Sequence, residues 1–262
     1  MVRIPGLDES SGLAASRRHP GILWTMNDDS NPYLFAFNRL GESKGRVRVS
    51  GATNQDWEGL AWGPGPVPGR SYLYVGDIGD NLSRRKFVTV YRIEEPGLEP
   101  EESKPAVPLH FTYPGVPQDS EALLVHPVSG DLYVITKTRG TTRVFVARAP
   151  LKSSQLKYVA DIDLPGGRLL ALLTGRVTDG SISPDGSRVV LSDYAQGFEA
   201  ILEPGLPFDQ IWTSKWTPID LGDRDQGEGA TYRLDGKTIL ATSEGAEFPL
   251  IEVNVSPASS VK

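Results

Sequence analysis

The chain contains no cysteine among its 262 residues. This removes disulfides, thiolate metal sites and a cysteine nucleophile together, and leaves the compartment undecided. Histidine is almost as scarce. His19, His110 and His126 are scattered, too few for a histidine metal site. His19 and His126 each precede a proline, so a turn or packing role is expected of them. No apolar run is long enough to cross a bilayer as a helix, and no signal peptide is present. Val2-Arg3-Ile4 already reads as a strand, so Met1 is expected to follow a removed signal. The formal net charge of −6 argues against nucleic acid or an anionic membrane as partner. The one basic cluster, Arg84-Arg85-Lys86, is short enough to be a solvated turn. Neither a Gly-x-Ser-x-Gly elbow nor a Walker A or Rossmann fingerprint occurs. No helical apolar stripe is sustained either; the nearest candidate, Arg168–Thr174, is too short to decide between strand and helix.

What the chain has is glycine and proline, 28 and 21 residues, together with five tryptophans. Such a composition favours many short strands and turns around a sizeable core. One stretch sets the pattern. Asn54-Gln-Asp-Trp-Glu-Gly-Leu-Ala-Trp62 places Asp56 and Glu58 before an apolar run, and Tyr72-Leu-Tyr-Val-Gly-Asp-Ile-Gly-Asp-Asn81 ends in Asp77, Asp80 and Asn81. Weaker copies carry Glu9, Glu121, Asp179 and Glu228, at intervals of about fifty to sixty residues, a period that marks a propeller or solenoid.

Alternation and turn residues divide each repeat into strands. They are expected at 12–16, 22–26, 33–38 and 46–49, then at 60–62, 72–75, 88–93 and 109–112, with an acidic surface loop over Glu94–Pro108. The third repeat covers 122–125, 132–136, 143–147 and 158–162, and the fourth runs from Ser181 through 188–192, 199–202 and 216–221. The fifth has 230–233, 238–242 and 250–255 but no fourth strand. Residues 2–4 are expected to fill that place and close the ring, leaving only short, protected edges. The expected fold is therefore all-β, a propeller of five four-stranded antiparallel blades in one domain over 1–262. A sixth blade stays open, with Leu169–Leu173 as its one good strand.

The segments "QDWEGLAWGPG", "YLYVGDIGDN", "VTVYRIEEP", "DSEALLVHPVSGDLYVITK", "ISPDGSRVVL" and "TSEGAEFPLIEV" resemble a family of uncharacterised bacterial propellers, common in actinobacteria and usually secreted. The resemblance implies the fold and an extracellular location, and brings no activity with it. "DESSGL", "QDWEGLAW" and "YLYVGDIGD" more loosely resemble calcium-activated nucleotidases (apyrases), five-bladed propellers whose acidic tunnel holds Ca²⁺.

In a propeller the innermost strands line the axis. Glu9, Glu58, Glu121, Asp179 and Glu228 are thus expected as a ring at one end. A second set, Asn27 and Asp28, Asp77 and Asp80, Lys137, Asp193 and Glu244, ends the second strands at the same mouth. Clustered carboxylates either keep protons or bind a cation, and an all-oxygen site of this kind suits Ca²⁺. Glu9, Glu58, Glu121, Asp179, Glu228, Asp77 and Asn27 are the candidate ligands. Bracing of neighbouring blades by the same acids is the equal alternative, and Lys137 could neutralise part of the ring without metal. Two functions follow. One is a monomeric binding or scaffold protein, taking a small molecule, glycan or protein at one mouth. The other is a metal-dependent hydrolase of phosphoanhydride, phosphoester or lactone substrates, with Glu58, Glu121 or Asp77 as ligand or general base. The tryptophans are expected to pack between blades, with Trp57, beside the ring, the one candidate sugar platform.

Overall fold

A computed structural model describes residues 1–28, 31–99, 101–138, 141–165 and 176–255. Strands β1 (Leu13–Ala15), β2 (Ile22–Met26), β3 (Tyr33–Asn38) and β4 (Ser43–Arg48) form the first blade, paired in that order. The second comprises β5 (Trp57–Gly63), β6 (Tyr72–Asp77), β7 (Val88–Glu94) and β8 (Val107–Thr112). The third has β9 (Ser120–Val125), β10 (Leu132–Thr136) and β11 (Thr142–Ala147). The two-residue β12 (Ser154–Gln155) leaves this blade to lie parallel on β8, and β13 (Lys157–Ile162) returns to complete it. The fourth comprises β14 (Asp179–Ile182), β15 (Arg188–Ser192), β16 (Gly197–Ile201) and β17 (Trp216–Ile219), and the fifth β18 (Gly227–Tyr232), β19 (Thr238–Ser243) and β20 (Ile251–Asn254). Within each blade every neighbouring pair is antiparallel.

Two observations close the ring at five blades. The inner strands pack side by side in a cycle, β1 against β5, β5 against β9, β9 against β14, β14 against β18 and β18 against β1. The buried apolar side chains likewise fall into five clusters, one between each adjacent pair of blades. Trp57, Leu60 and Val75 meet Trp24, Met26 and Val47 between blades one and two. Val2, Ile4 and Leu7 join Phe37, Leu240 and Phe248 between blades five and one. The residues proposed for a sixth blade, Leu169–Leu173, lie outside the described residues.

Glycine lets the inner strands approach. The residue after each ring position is Gly12, Gly59, Ala122, Gly180 or Gly229. A Cβ on Gly59 would lie 2.5 Å from the Leu123 Cβ and 2.8 Å from its backbone nitrogen, and one on Gly12, at φ +102°, would lie 2.8 Å from the Leu60 nitrogen. Backbone cannot yield as a side-chain tip can. Gly59→Ala is therefore expected to cost about 1–3 kcal/mol by overpacking, read as a lowered Tm; an unchanged Tm would show that the strands are free to part.

The N-terminal segment reaches the fifth blade through one antiparallel bridge rather than a three-residue strand. The Val2 N–H donates to the Phe248 carbonyl at 2.7 Å, and the Phe248 N–H to the Val2 carbonyl at 3.1 Å; the turn at Pro5-Gly6 follows at once. One loop expectation also needs correction. The segment from Glu94 to Pro108 is not a free surface loop. Residues 101–103 run parallel to the edge of β4, with Arg48 N–H bonded to Glu101 O at 2.8 Å and Ser103 N–H to Arg48 O at 2.9 Å, so they cover an edge that would otherwise offer unpaired backbone. Between β15 and β16, Asp193–Gln196 is a tight turn, because the Asp193 carboxylate accepts the Ala195 and Gln196 N–H groups at 2.8 and 2.7 Å. Among the described residues no helix is long and apolar enough to cross a membrane.

Candidate functional site: the acidic mouth of the axis

Glu58, Glu121, Asp179 and Glu228 stand at equivalent places at the start of β5, β9, β14 and β18. The first blade breaks the series. Its matching segment is Ser10-Ser11-Gly12-Leu13-Ala14, beside Trp57-Glu58-Gly59-Leu60-Ala61, and Gly12 abuts Leu60 and Gly59. Ser11 therefore takes the ring position, and Glu9 sits two residues outside it. The physical reason is the loop before β1, where Asn27 Oδ1 accepts the Asp8 and Glu9 N–H groups at 3.1 and 3.3 Å.

The three glutamates share a backbone device. The ladder slips between Trp57 and Gly59, between Ser120 and Ala122, and between Gly227 and Ala230. Each slip is a β-bulge that leaves Glu58, Glu121 or Glu228 out of the pairing, and bulges of this kind re-aim side chains. The ends of the second strands meet them at the same mouth. Lys137, just after β10, places its Nζ on Glu121 Oε1 and stands 5.6 Å from the ring centroid of Tyr194.

Burial and hydrogen bonds, reinforced by neighbouring acids, raise the pKa values of these carboxyls. Burial, followed by the charge of Asp56, holds Glu58 well above the usual carboxylate range, with Lys137 pulling the other way. Burial likewise raises Glu228 to about 7 against the pull of Gln226 and Lys137. Glu9 rises to about 8, chiefly through a hydrogen bond shared with Asp28, then burial and the charges of Asp28 and Glu244. Lys137 is held above its ordinary value; burial opposes the charge, while Tyr194, Glu58 and Glu228 favour it.

The remaining candidates are braces as they stand. Asp179 is fully buried, and its Oδ2 accepts the Leu13 and Ala230 N–H groups at 3.1 and 2.9 Å, tying three blades across the axis. Burial raises its pKa well above normal despite those bonds. Asp77 pairs with Arg85 at 2.7 Å and accepts the Gln55 N–H at 3.3 Å. Asp80 accepts the Arg84 and Arg85 N–H groups at 2.9 and 2.7 Å, so the Asp77–Asn81 segment is braced from within. Asn27, besides its two accepted bonds, donates to Gly6 O at 3.0 Å. Two buried oxygens at the ring position, Glu121 Oε2 and Asp179 Oδ1, have no hydrogen-bond partner.

All three glutamate shifts have the same sign, which fixes a pH dependence. A carboxyl whose folded pKa exceeds its unfolded value adds stability that is complete below the unfolded value, near 4.5, and is lost as pH rises through the folded one. For Glu228, moved from 4.5 to about 7, the conversion of ~1.4 kcal/mol per pH unit gives on the order of 3 kcal/mol. The metal-free protein is expected to melt at a lower temperature at pH 8.5 than at pH 5.5, with the slope reduced in Glu228→Gln. A Tm that rises over that interval would contradict the crowding.

Sequence reasoning missed a second buried carboxylate at the opposite end of the molecule. Glu95 is 1% exposed and accepts from Ser16 Oγ, Ser71 Oγ, Trp24 Nε1 at 3.0 Å and the Arg18 N–H at 3.2 Å. Its signal in the sequence was the break in alternation at Glu94-Glu95-Pro96. The tryptophan expectation also changes. Trp57 is fully buried, its Nε1 bonded to Thr53 O at 2.9 Å, so it is no sugar platform. Trp62, partly exposed, is the ring that lines a cleft.

No family model and no curated protein matches the chain. Several solved structures are similar in shape. A protein in a nidogen/laminin complex aligns at TM-score 0.46 and 14% identity, covering 89% of this chain and 71% of that one. The Dos1 propeller aligns at 0.44 and 12%, covering 96% of this chain, which spans 61% of the Dos1 propeller's length. A candidate 6-phosphogluconolactonase from Bacteroides uniformis aligns at 0.47 and 14%, covering 95% and 68%. Likenesses of this size carry no inference about activity or partner.

Proposed function

We propose that this protein is a binding module whose acidic axial mouth takes a cationic group, with Ca²⁺ as its simplest occupant. One observation supports this above the others: three glutamates, each set out of its strand by a bulge at the same place, share one lysine, which pairs with Glu121 while Glu58 and Glu228 hold raised pKa values. Carboxyls whose charge is disfavoured by burial and by neighbouring acids gain from exchanging a proton for a cation. The donor chemistry, all oxygen, fits Ca²⁺, and so do the unpartnered Glu121 Oε2 and Asp179 Oδ1. The present arrangement is closed by Lys137, and among the described residues no three acidic groups stand close enough to ligate one ion. An incoming cation therefore competes with Lys137. Glu58, Glu228 and Glu121 would hold it, with Glu9, Asp28 and Glu244 at the rim. Asp77, Asn27 and Asp179 keep their bracing bonds. The likeness to calcium-activated nucleotidases in the acid-bearing segments points the same way.

The larger ligand is then a small molecule, glycan or protein presenting a cationic group, or bridged through the ion. A hydrolase of phosphoanhydride, phosphoester or lactone substrates would use the same mouth. Of its candidate bases Asp77 and Glu121 are ion-paired, which leaves Glu58, whose raised pKa suits a general base. Calorimetric titration with CaCl₂ at pH 7.5, in two buffers of different ionisation heat, tests the proposal. Binding with proton release, weakened in Glu58→Gln, is expected. The absence of both binding heat and proton release would refute it.

A further inference from the structure

At the far end of the axis from the acids, the turns that follow β1, β5 and β7 enclose a cleft of about 540 Å³ lined by Arg17, Arg18, Trp62, Pro64, Arg70 and Ser71, with Glu94 and Glu95 at its wall. We infer that this cleft is a binding site for a small organic oxyanion, a carboxylate or a phosphomonoester, with Arg17 as its principal contact.

The inference rests on how the charges are already matched. Both Glu95 oxygens are taken by Ser16, Trp24, Ser71 and the Arg18 N–H. Glu94 is matched twice, by Arg70 at 2.7 Å and by Lys104 at 2.9 Å. Arg18 gives one Nη1 bond to the Glu95 carbonyl at 2.8 Å and keeps the rest of its fork. Arg17 has no carboxylate partner among the described residues; its guanidinium stacks on Trp62 at 4.0 Å from the ring centroid. The lining carboxylates are thus satisfied, while two guanidinium groups retain N–H donors toward the cleft.

The stacked arginine is also held from behind. Trp62 Nε1 donates to Ser71 Oγ at 2.5 Å, and Ser71 Oγ donates to the buried Glu95. A chain of polar contacts starting at a fully buried carboxylate therefore fixes the plane of Trp62, and Trp62 fixes the plane of Arg17. A guanidinium pre-oriented in this way loses less freedom on forming paired bonds, and its flat fork matches the two oxygens of a carboxylate or phosphate. Partial burial, opposed by the charge of Glu95, lowers the Arg17 pKa from its ordinary value. That direction is consistent with a cation short of counter-charge.

Phenyl phosphate and benzoate, with phenol as the uncharged control, probe the site by tryptophan fluorescence and calorimetry at low salt. Saturable binding of either anion is expected, weakening with added salt and reduced roughly tenfold to hundredfold in Arg17→Gln, the range for lost hydrogen bonds to a charged group. Binding of phenyl phosphate alone would assign a phosphomonoester, and of benzoate alone a carboxylate. Glu58→Gln, at the opposite mouth, should leave the binding unchanged. Arg17→Gln lies on the partly exposed surface, and an unaltered circular dichroism melt would establish its folding. Failure of the wild-type protein to bind either anion, equal binding of phenol, or undiminished binding by folded Arg17→Gln would overturn the site.

Discussion

Replacing Lys137 by methionine is expected to cost about 3–5 kcal/mol of stability at pH 8, the usual penalty for leaving one member of a buried ion pair alone. Glu121 is 3% exposed and holds the lysine on one oxygen while its other oxygen has no partner. Without Lys137 that carboxylate would face Glu58 and Glu228 with no counter-charge. The loss should be smaller at pH 5, where a carboxyl left alone in a dry site is neutralised by a proton. Lys137→Met combined with Glu121→Gln should recover most of it, since both charges are then gone. Urea unfolding of the two variants at both pH values measures this. A Lys137→Met protein as stable as wild type at pH 8 would mean that the lysine is an ornament of the mouth and not its counter-ion.

Glu95→Leu is expected to be comparably damaging for a different reason. Here no charge is left behind. Instead Ser16, Ser71, Trp24 and the Arg18 N–H lose their acceptor in a place sealed from water. A buried donor without a partner costs roughly 1–3 kcal/mol, so a loss on the order of 3–5 kcal/mol is expected after partial relaxation. Because these groups come from blades one and two, the variant should also loosen the contact between them, visible as faster amide exchange in β1 and β6. Glu95→Gln keeps the shape and should be milder. A loss under about 1 kcal/mol for Glu95→Leu, measured by denaturant unfolding, would show that water replaces the carboxylate at no cost.

These two residues differ in how visible they were beforehand. Lys137 follows the short apolar run Leu132–Thr136, and its place opposite the ring acids could be read from the repeat. Most strands were legible for the same reason: short β-branched and aromatic runs between glycine and proline turns leave few alternatives. So were the places of Glu58, Glu121, Asp179 and Glu228, each before a Gly or Ala and an apolar run. The first blade was not. Its Asp8-Glu9 pair imitates the acids of the other repeats, yet the strand register puts Ser11 at the ring, a two-residue shift that only packing against Gly59 and Leu60 reveals. The bulges at Glu58, Glu121 and Glu228 were hidden as well, because a single extra residue does not disturb a short alternating pattern. Glu95 sits in an acidic, proline-rich stretch that composition assigns to solvent. Its burial depends on Ser16 and Trp24, about seventy to eighty residues away in the chain. Trp57 and Trp62 differ by position along β5: both pack into the core between blades one and two, but Trp57 at the start is fully buried, while Trp62 near the far end is partly exposed beside the cleft.

On the proposed reading, the crowded mouth, its raised carboxyl pKa values and the resident lysine make a site that takes a cation. Thermal melting at pH 8, in CaCl₂ and in chelator at matched ionic strength, tests that description most directly, with metal content measured on the protein as purified. A ligand of the folded state raises Tm with its concentration. The account predicts a Tm that climbs with CaCl₂, falls back in chelator, and no longer responds in the double variant Glu58→Gln, Glu228→Gln. Identical melting in calcium and chelator, with no metal in the purified protein, would contradict it and leave the ring as bracing between blades.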